Sequence, residues 1–244
     1  MPNIGSSESV LKTEDLYRIL SERKPGETIY IKGRVIENAD LSEKDLRGID
    51  FSETTFTNVK FDGADMDGCN IFKTWFTDCS LRNVKLTNAN AREAGFRFQD
   101  LTGIDISGTD IFGSILEYAK LDGLKYDDRT QHYKLRCPEE GAFIGWKCCI
   151  GLRVVRLLIP ADARRVSATM DTCRCDKAKV LSIKSIDETK DYEWAQSTVD
   201  QDFYYEVGKW VEPANYFEPD RWKDSSPGVH FFMEREECIA YMTK

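Results

Sequence analysis

The chain has 244 residues and a mass of 28.0 kDa, enough for one or two domains with a sizeable core. Hydrophobic residues at 41% and charged residues at 31% fit a soluble globular protein, and no apolar run approaches the roughly 18 residues of a membrane span. The formal charge of −8 argues against direct binding of nucleic acid.

The opening MPNIGSSESV carries neither the basic nor the apolar region of a secretory signal. The eight cysteines are therefore expected to be reduced thiols in a cytoplasmic protein. The next stretch, TEDLYRILSERKPGE, predicts a short amphipathic helix. Thr13 would be its N-cap, Leu16, Ile19 and Leu20 its apolar face, and Pro25-Gly26 its end.

From Leu41 a large apolar residue returns every fifth position: Leu46, Phe51, Phe56, Phe61, Met66, Ile71, Phe76, Leu81, Leu86, then undersized Ala91, Phe96, Leu101, Ile106, Ile111, Leu116 and Leu121. Two places earlier runs a smaller series, including Ala39, Val59, Ala64, Cys69, Thr74 and Cys79, which Lys44 and Gln99 break. Asp or Asn often precedes the large residue, and glycine recurs two places after it. Five is neither the helical period of 3.6 nor the strand period of 2. Two inward positions in every five describe a short extended piece followed by a turn. Repetition winds such units into a β-solenoid whose coils stack through backbone hydrogen bonds.

Segments such as NADLS, GADMD and NANAR resemble the A-(D/N)-L-x-x unit of pentapeptide-repeat proteins. The resemblance covers residues 31–125 and implies a right-handed quadrilateral β-helix with four units per coil, about four coils in all. Residues 1–30 would then be an N-terminal segment whose helix caps the exposed first coil. With four units per coil, residues twenty apart share a face. The face through Phe56, Phe76, Phe96 and Leu116 presents Trp75, Phe98, Ile115 and Tyr118 outward, where other faces show Asp, Lys, Ser or Gly. Such a stripe needs a cover, either the C-terminal domain or a partner. On the remaining faces Asp62, Asp65, Asp67, Asp100, Asp105 and Asp110 are diluted by Lys60, Lys73, Arg82, Lys85, Arg92 and Arg97.

Beyond Tyr126 the pattern ends. AFIGWKCCI, LRVVRLLIP, AKVLSIKSI, DFYYEVGKW and VHFF predict strands, and REECIAYM predicts a short final helix. Residues 126–244 are thus a β-rich α+β domain in a mainly β chain. The phrases CPEEGAFIGWK, CRCDKAKVLSI and GVHFFMEREE resemble a module of no assigned activity found behind pentapeptide repeats in bacterial and phage-associated proteins.

Candidate chemistry is sparse. Cys137, Cys148, Cys149, Cys173 and Cys175 cluster with His132 and His230 in sequence, but their Cys-Cys and Cys-Arg-Cys spacings are not the usual zinc knuckle. Neighbours on a strand point to opposite faces, which separates Cys148 from Cys149, whereas Cys173 and Cys175 would share one. Cys69 and Cys79 belong to the tube core. Cys175 with His230 is one conceivable nucleophilic pair. ADARRVSAT reads as a surface turn, its paired arginines being thin grounds for phosphate binding. No phosphate-cradling glycine loop is present. No cofactor, metal or catalytic residue is expected.

The leading expectation is a non-catalytic scaffold that presents Trp75, Phe98, Ile115 and Tyr118 to a protein partner or a docked domain. The resemblance also implies a second reading, since some pentapeptide-repeat proteins mimic DNA on gyrase and protect it from quinolones. Four coils give roughly 20 Å of rod at about 4.8 Å each, short of the roughly 34 Å turn of B-DNA. The repeat segment carries 16 acidic and 12 basic side chains, a charge of only −4. A third reading places metal binding or catalysis in the C-terminal domain.

Overall fold

The computed structural model describes residues 9–24 and 26–243. It divides into two compact units, Met1–Tyr133 and Lys134–Lys244.

The first unit opens with strand β1 (Ser9–Val10) and helix α1 (Thr13–Glu22), followed by β2 (Arg34–Glu37), β3 (Thr55–Thr57) and β4 (Trp75–Thr77). These strands form one parallel sheet in the order β1-β2-β3-β4. Everywhere else the repeats are joined by single parallel bridges between residues twenty apart, such as Asp45↔Asp65, Asp65↔Lys85 and Lys85↔Asp105. The unit is a mainly β solenoid. Bridging continues past the pentapeptide periodicity to Asp110↔Gln131.

Each part of the five-residue pattern has a structural cause. The large residues fill the core: Leu41, Leu46, Phe51, Phe56, Phe61, Met66, Ile71 and Ala91 are all fully buried. On one side Phe56 stacks on Phe76 at 5.4 Å and Phe76 on Phe96 at 5.2 Å, nearly parallel in both cases. The smaller inward residues carry polar atoms that must find partners. Side chains of Thr54, Cys69, Thr74, Thr109 and Ser114 donate to the carbonyls of Ile31, Leu46, Phe51, Leu86 and Ala91, each one coil and three residues back. Gln99 also points inward, its amide accepting from Cys79 N–H and donating to the Arg97 carbonyl, both at 2.9 Å; Lys44 stays exposed. Where Asp or Asn precedes the large residue it closes a turn by accepting the N–H two residues on, as Asp50 does from Ser52, Asp100 from Thr102 and Asp110 from Phe112.

Helix α1 buries Leu16, with Ile19 and Leu20 partly buried beside it. Thr13 is not the N-cap. That position is Lys12, which makes no side-chain cap bond, while the Thr13 hydroxyl donates to the Glu37 carbonyl. The helix ends at Glu22 with Arg23 as C-cap; Pro25, expected to end it, lies outside the described residues.

The second unit comprises β5 (Phe143–Cys149), β6 (Arg153–Ile159), β7 (Arg165–Ser167), β8 (Thr172–Cys175), β9 (Ala178–Ser185), β10 (Trp194–Gln196), β11 (Tyr204–Glu206), β12 (Trp210–Val211), β13 (Val229–Phe232) and α2 (Arg235–Thr243). Seven strands make one sheet in the order β12-β9-β6-β5-β13-β8-β7, and β10 and β11 pair separately. One face packs Val155, Leu157, Cys173, Cys175, Val180 and Phe231 together. The other packs Cys148, Val154 and Phe232 with Cys238 of α2. DFYYEVGKW is two short strands rather than one, divided at Gly208, whose φ of +81° turns the chain.

Candidate partner-binding face

The backbone of the solenoid sets the terms for its outer surface. Every fifth residue from Gly33 to Gly123 has a positive φ, the left-handed conformation that Cβ-bearing residues resist. Glycine, asparagine, aspartate, glutamate or lysine fills these positions except at two places, Phe98 (φ 64°) and Tyr118 (φ 58°). They stand twenty residues apart, so they sit one above the other. Their rings stack with centroids 4.9 Å apart and planes 8° from parallel. They remain 68% and 53% exposed.

Trp75, Gly95 and Ile115 form the neighbouring column, joined by the bridges Trp75↔Gly95 and Gly95↔Ile115. Gly95 has no side chain, and Trp75 lies over the vacant place: a Cβ on Gly95 would overlap Trp75 Cε3. Trp75 is 49% exposed, and Ile115 is partly buried. The four residues therefore share one wall, two columns wide, that is apolar and aromatic. The feature that sequence reasoning missed is the pairing of Gly95 with Trp75. Its signal was a glycine immediately before a large inward residue, where glycine does not otherwise occur in this repeat.

Elsewhere on the outer surface several charges pair with one another. Lys85 pairs with Asp65, Lys73 with Glu93, Arg92 with Asp110 and Lys120 with Asp100, in each case between coils.

The other candidates separate. In the antiparallel register of β13 with β8, Val229 faces Cys175 and His230 faces Arg174. Cys175 and His230 thus point to opposite sides of the sheet and form no nucleophilic pair. Burial pushes the thiols of Cys69, Cys149 and Cys175 up to about 12, so they stay protonated. Cys148 and Cys149 do lie on opposite faces. Cys148 lies beside Cys238 of α2, with Cα atoms 5.8 Å apart. Among the described residues no group of three or more His, Cys, Asp or Glu could hold a metal ion. Nor is Arg165 in a surface turn. It starts β7, is 9% exposed, and donates to the carbonyls of Gly141, Pro160, Ala161 and Ala163. Its cation is consumed in tying loops together. Among the described residues no helix is long and apolar enough to cross a membrane.

Residues 36–71 and 76–117 match the family model of pentapeptide repeats, in eight copies. Residues 133–238 match the model of a family of unknown function, DUF5758. The pentapeptide repeat protein Rfr23 from the cyanobacterium Cyanothece 51142 is 19% identical over 48% of this chain and 97% of its own, with a TM-score of 0.34. HetL from Nostoc sp. strain PCC 7120, a pentapeptide repeat protein involved in heterocyst differentiation regulation, is 14% identical over 50% of this chain and 80% of its own, with a TM-score of 0.27. QnrB1, a plasmid-mediated fluoroquinolone resistance protein, is 16% identical over 42% of this chain and 90% of its own in its full-length structure, with a TM-score of 0.14. No curated protein matches the chain.

Proposed function

We propose that this pentapeptide-repeat chain is a non-catalytic interaction protein whose contact surface is the wall of Trp75, Phe98, Ile115 and Tyr118. In this reading the repeats wind as a right-handed, four-sided tube of about four coils, and α1 closes its first coil. The tube is a rigid plate, and the aromatics are its one adhesive strip. One observation carries the reading: two exposed aromatics stand stacked at positive-φ positions that favour glycine or asparagine. Neither core packing nor backbone preference explains them, and residues kept against local preference cluster where a protein binds something. Aromatic side chains are also the usual anchors of protein interfaces.

The gyrase reading is weighed down by what the carboxylates do. Asp50, Asp65, Asp100, Asp105 and Asp110 are turned onto their own backbone as turn acceptors, and three of these, Asp65, Asp100 and Asp110, also pair with a lysine or arginine of a neighbouring coil. Carboxylates so engaged are not free to imitate a phosphate backbone.

The test is affinity capture from a bacterial lysate with the full chain and with a Trp75→Ser/Phe98→Ser/Tyr118→Ser variant of unchanged circular dichroism. A protein retained by the first and lost by the second is the expected result. Identical captures by both would sink the reading. Inhibition of gyrase supercoiling at low protein concentration would transfer the function to DNA mimicry; the proposal expects none.

A further inference from the structure

A cavity of about 580 Å³ lies within the second unit, inside the range of small-molecule sites. It opens where two strands part. β13 meets β5 at Phe232↔Trp146, while the far end of β5 leaves to bridge Cys149 with Ser197. Lys147 of β5 and His230 of β13 both line the gap, with Tyr205 of β11 and the apolar side chains of Met170, Phe203 and Phe232.

Three polar groups in this wall have capacity that the protein does not use. Lys147 is largely buried, and its ammonium makes no hydrogen bond or ion pair among the described residues. Burial pulls its pKa down, and no carboxylate acts to restore it. Tyr205 is only 2% exposed, yet its hydroxyl has no protein partner among the described residues. It is not sealed away, because no buried side-chain nitrogen or oxygen among the described residues is left unsatisfied; its small accessible surface faces the cavity it lines. The third group is His230, whose Nε2 lies 2.8 Å from the Ser226 carbonyl. That nitrogen must carry the proton, which leaves Nδ1 as an acceptor. Two carboxylates also line the cavity, Asp200 and Asp224. Asp200 accepts the Asp202 N–H, and Asp224 acts on His230 rather than on Lys147.

An unpaired, largely buried ammonium is costly and calls for an anion. Two donors in one cavity wall, one of them a cation, suit the two oxygens of a carboxylate. Phenylalanine, methionine and tyrosine around them match an apolar ring. We infer that this cavity is a binding site for a small aromatic carboxylate, held by the Lys147 ammonium and the Tyr205 hydroxyl with its ring between Met170, Phe203 and Phe232. The site is independent of the aromatic wall of the first unit.

Fluorescence titration of the full chain with 1-anilinonaphthalene-8-sulfonate, an aromatic anion, tests this, with benzoate as competitor. One saturable site displaced by benzoate is expected. Lys147→Met should weaken it about tenfold or more, the loss of a charged hydrogen bond, and Tyr205→Phe should weaken it less. The Phe98→Asn/Tyr118→Asn variant should bind unchanged, which separates the cavity from the aromatic wall. Because Lys147→Met removes an unpaired buried cation, its Tm without ligand should equal or exceed that of the parent, so weakened binding cannot be put down to unfolding. Failure of benzoate to displace the dye, undiminished binding by Lys147→Met, or a fall in its Tm would each overturn the assignment.

Discussion

Phe98 and Tyr118 hold backbone conformations that cost an ordinary residue about 1 kcal/mol each, and their stacking returns about 0.5–1.5 kcal/mol. In the same column, two coils earlier, Asn58 Nδ2 donates to Asn38 Oδ1 at 2.7 Å. Replacing both aromatics with asparagine would set a second such amide pair in the column, beyond Asp78, at positions asparagine tolerates. The double variant Phe98→Asn/Tyr118→Asn should therefore melt no lower than the parent; a Tm more than about 5 °C lower would mean the pair is structural. His230 supplies a second residue-scale prediction. Burial holds its pKa below the usual 6.5, reinforced by the nearby charges of Lys147 and Arg174 and opposed by the Ser226 carbonyl and Asp224. The unfolded chain takes up a proton as pH falls through about 6.5, and the folded one resists. Stability should fall between pH 7.5 and 5.5. His230→Gln, which keeps a donor for the Ser226 carbonyl, should lose much of that dependence in thermal melts; an unchanged slope would exclude His230 as its source.

At the scale of elements, the repeat was legible because each coil is built from rules that act locally. A large residue fills the core, an Asp or Asn accepts the N–H two places on, and the left-handed position follows. Phe76 is the element's central brick, stacked against both Phe56 and Phe96. Phe76→Ala should cost about 3–5 kcal/mol, read as a shift in the denaturant midpoint. A loss under about 1 kcal/mol would mean the coils do not depend on the stack. The strands β5, β6, β9 and β13 were equally plain, each a branched or aromatic run between breaks. Three others, β7, β8 and β10, were hidden. β7 and β8 carry Arg165 and Arg174 at 9% and 2% exposure, and arginines do not advertise a core strand. They are tolerated because distant carbonyls receive their N–H groups, for Arg174 those of Glu218, Asp220 and Asp224. No local pattern encodes such partners. The same holds for Lys147 and Tyr205, which no motif joins and which only the fold brings to one cavity. Thr13 failed as an N-cap for a related reason, because its hydroxyl is spent on Glu37, twenty-four residues away.

The whole molecule joins two compact units whose candidate sites differ in kind, a flat aromatic wall on the first and a cation-bearing cavity in the second. The wall was visible in the sequence as four residues out of character with their repeat. Its occupant was not, because a stripe of aromatics specifies a cover without specifying whose. In the proposed function that cover is a separate protein. Photo-crosslinking tests this most directly, with p-benzoylphenylalanine in place of Phe98 and irradiation of the full chain in a bacterial lysate. An adduct between position 98 and a second polypeptide is expected, absent when excess unmodified chain competes. An adduct running instead to residues 134–244 of the same chain would contradict it, and would make the wall a packing surface for the second unit.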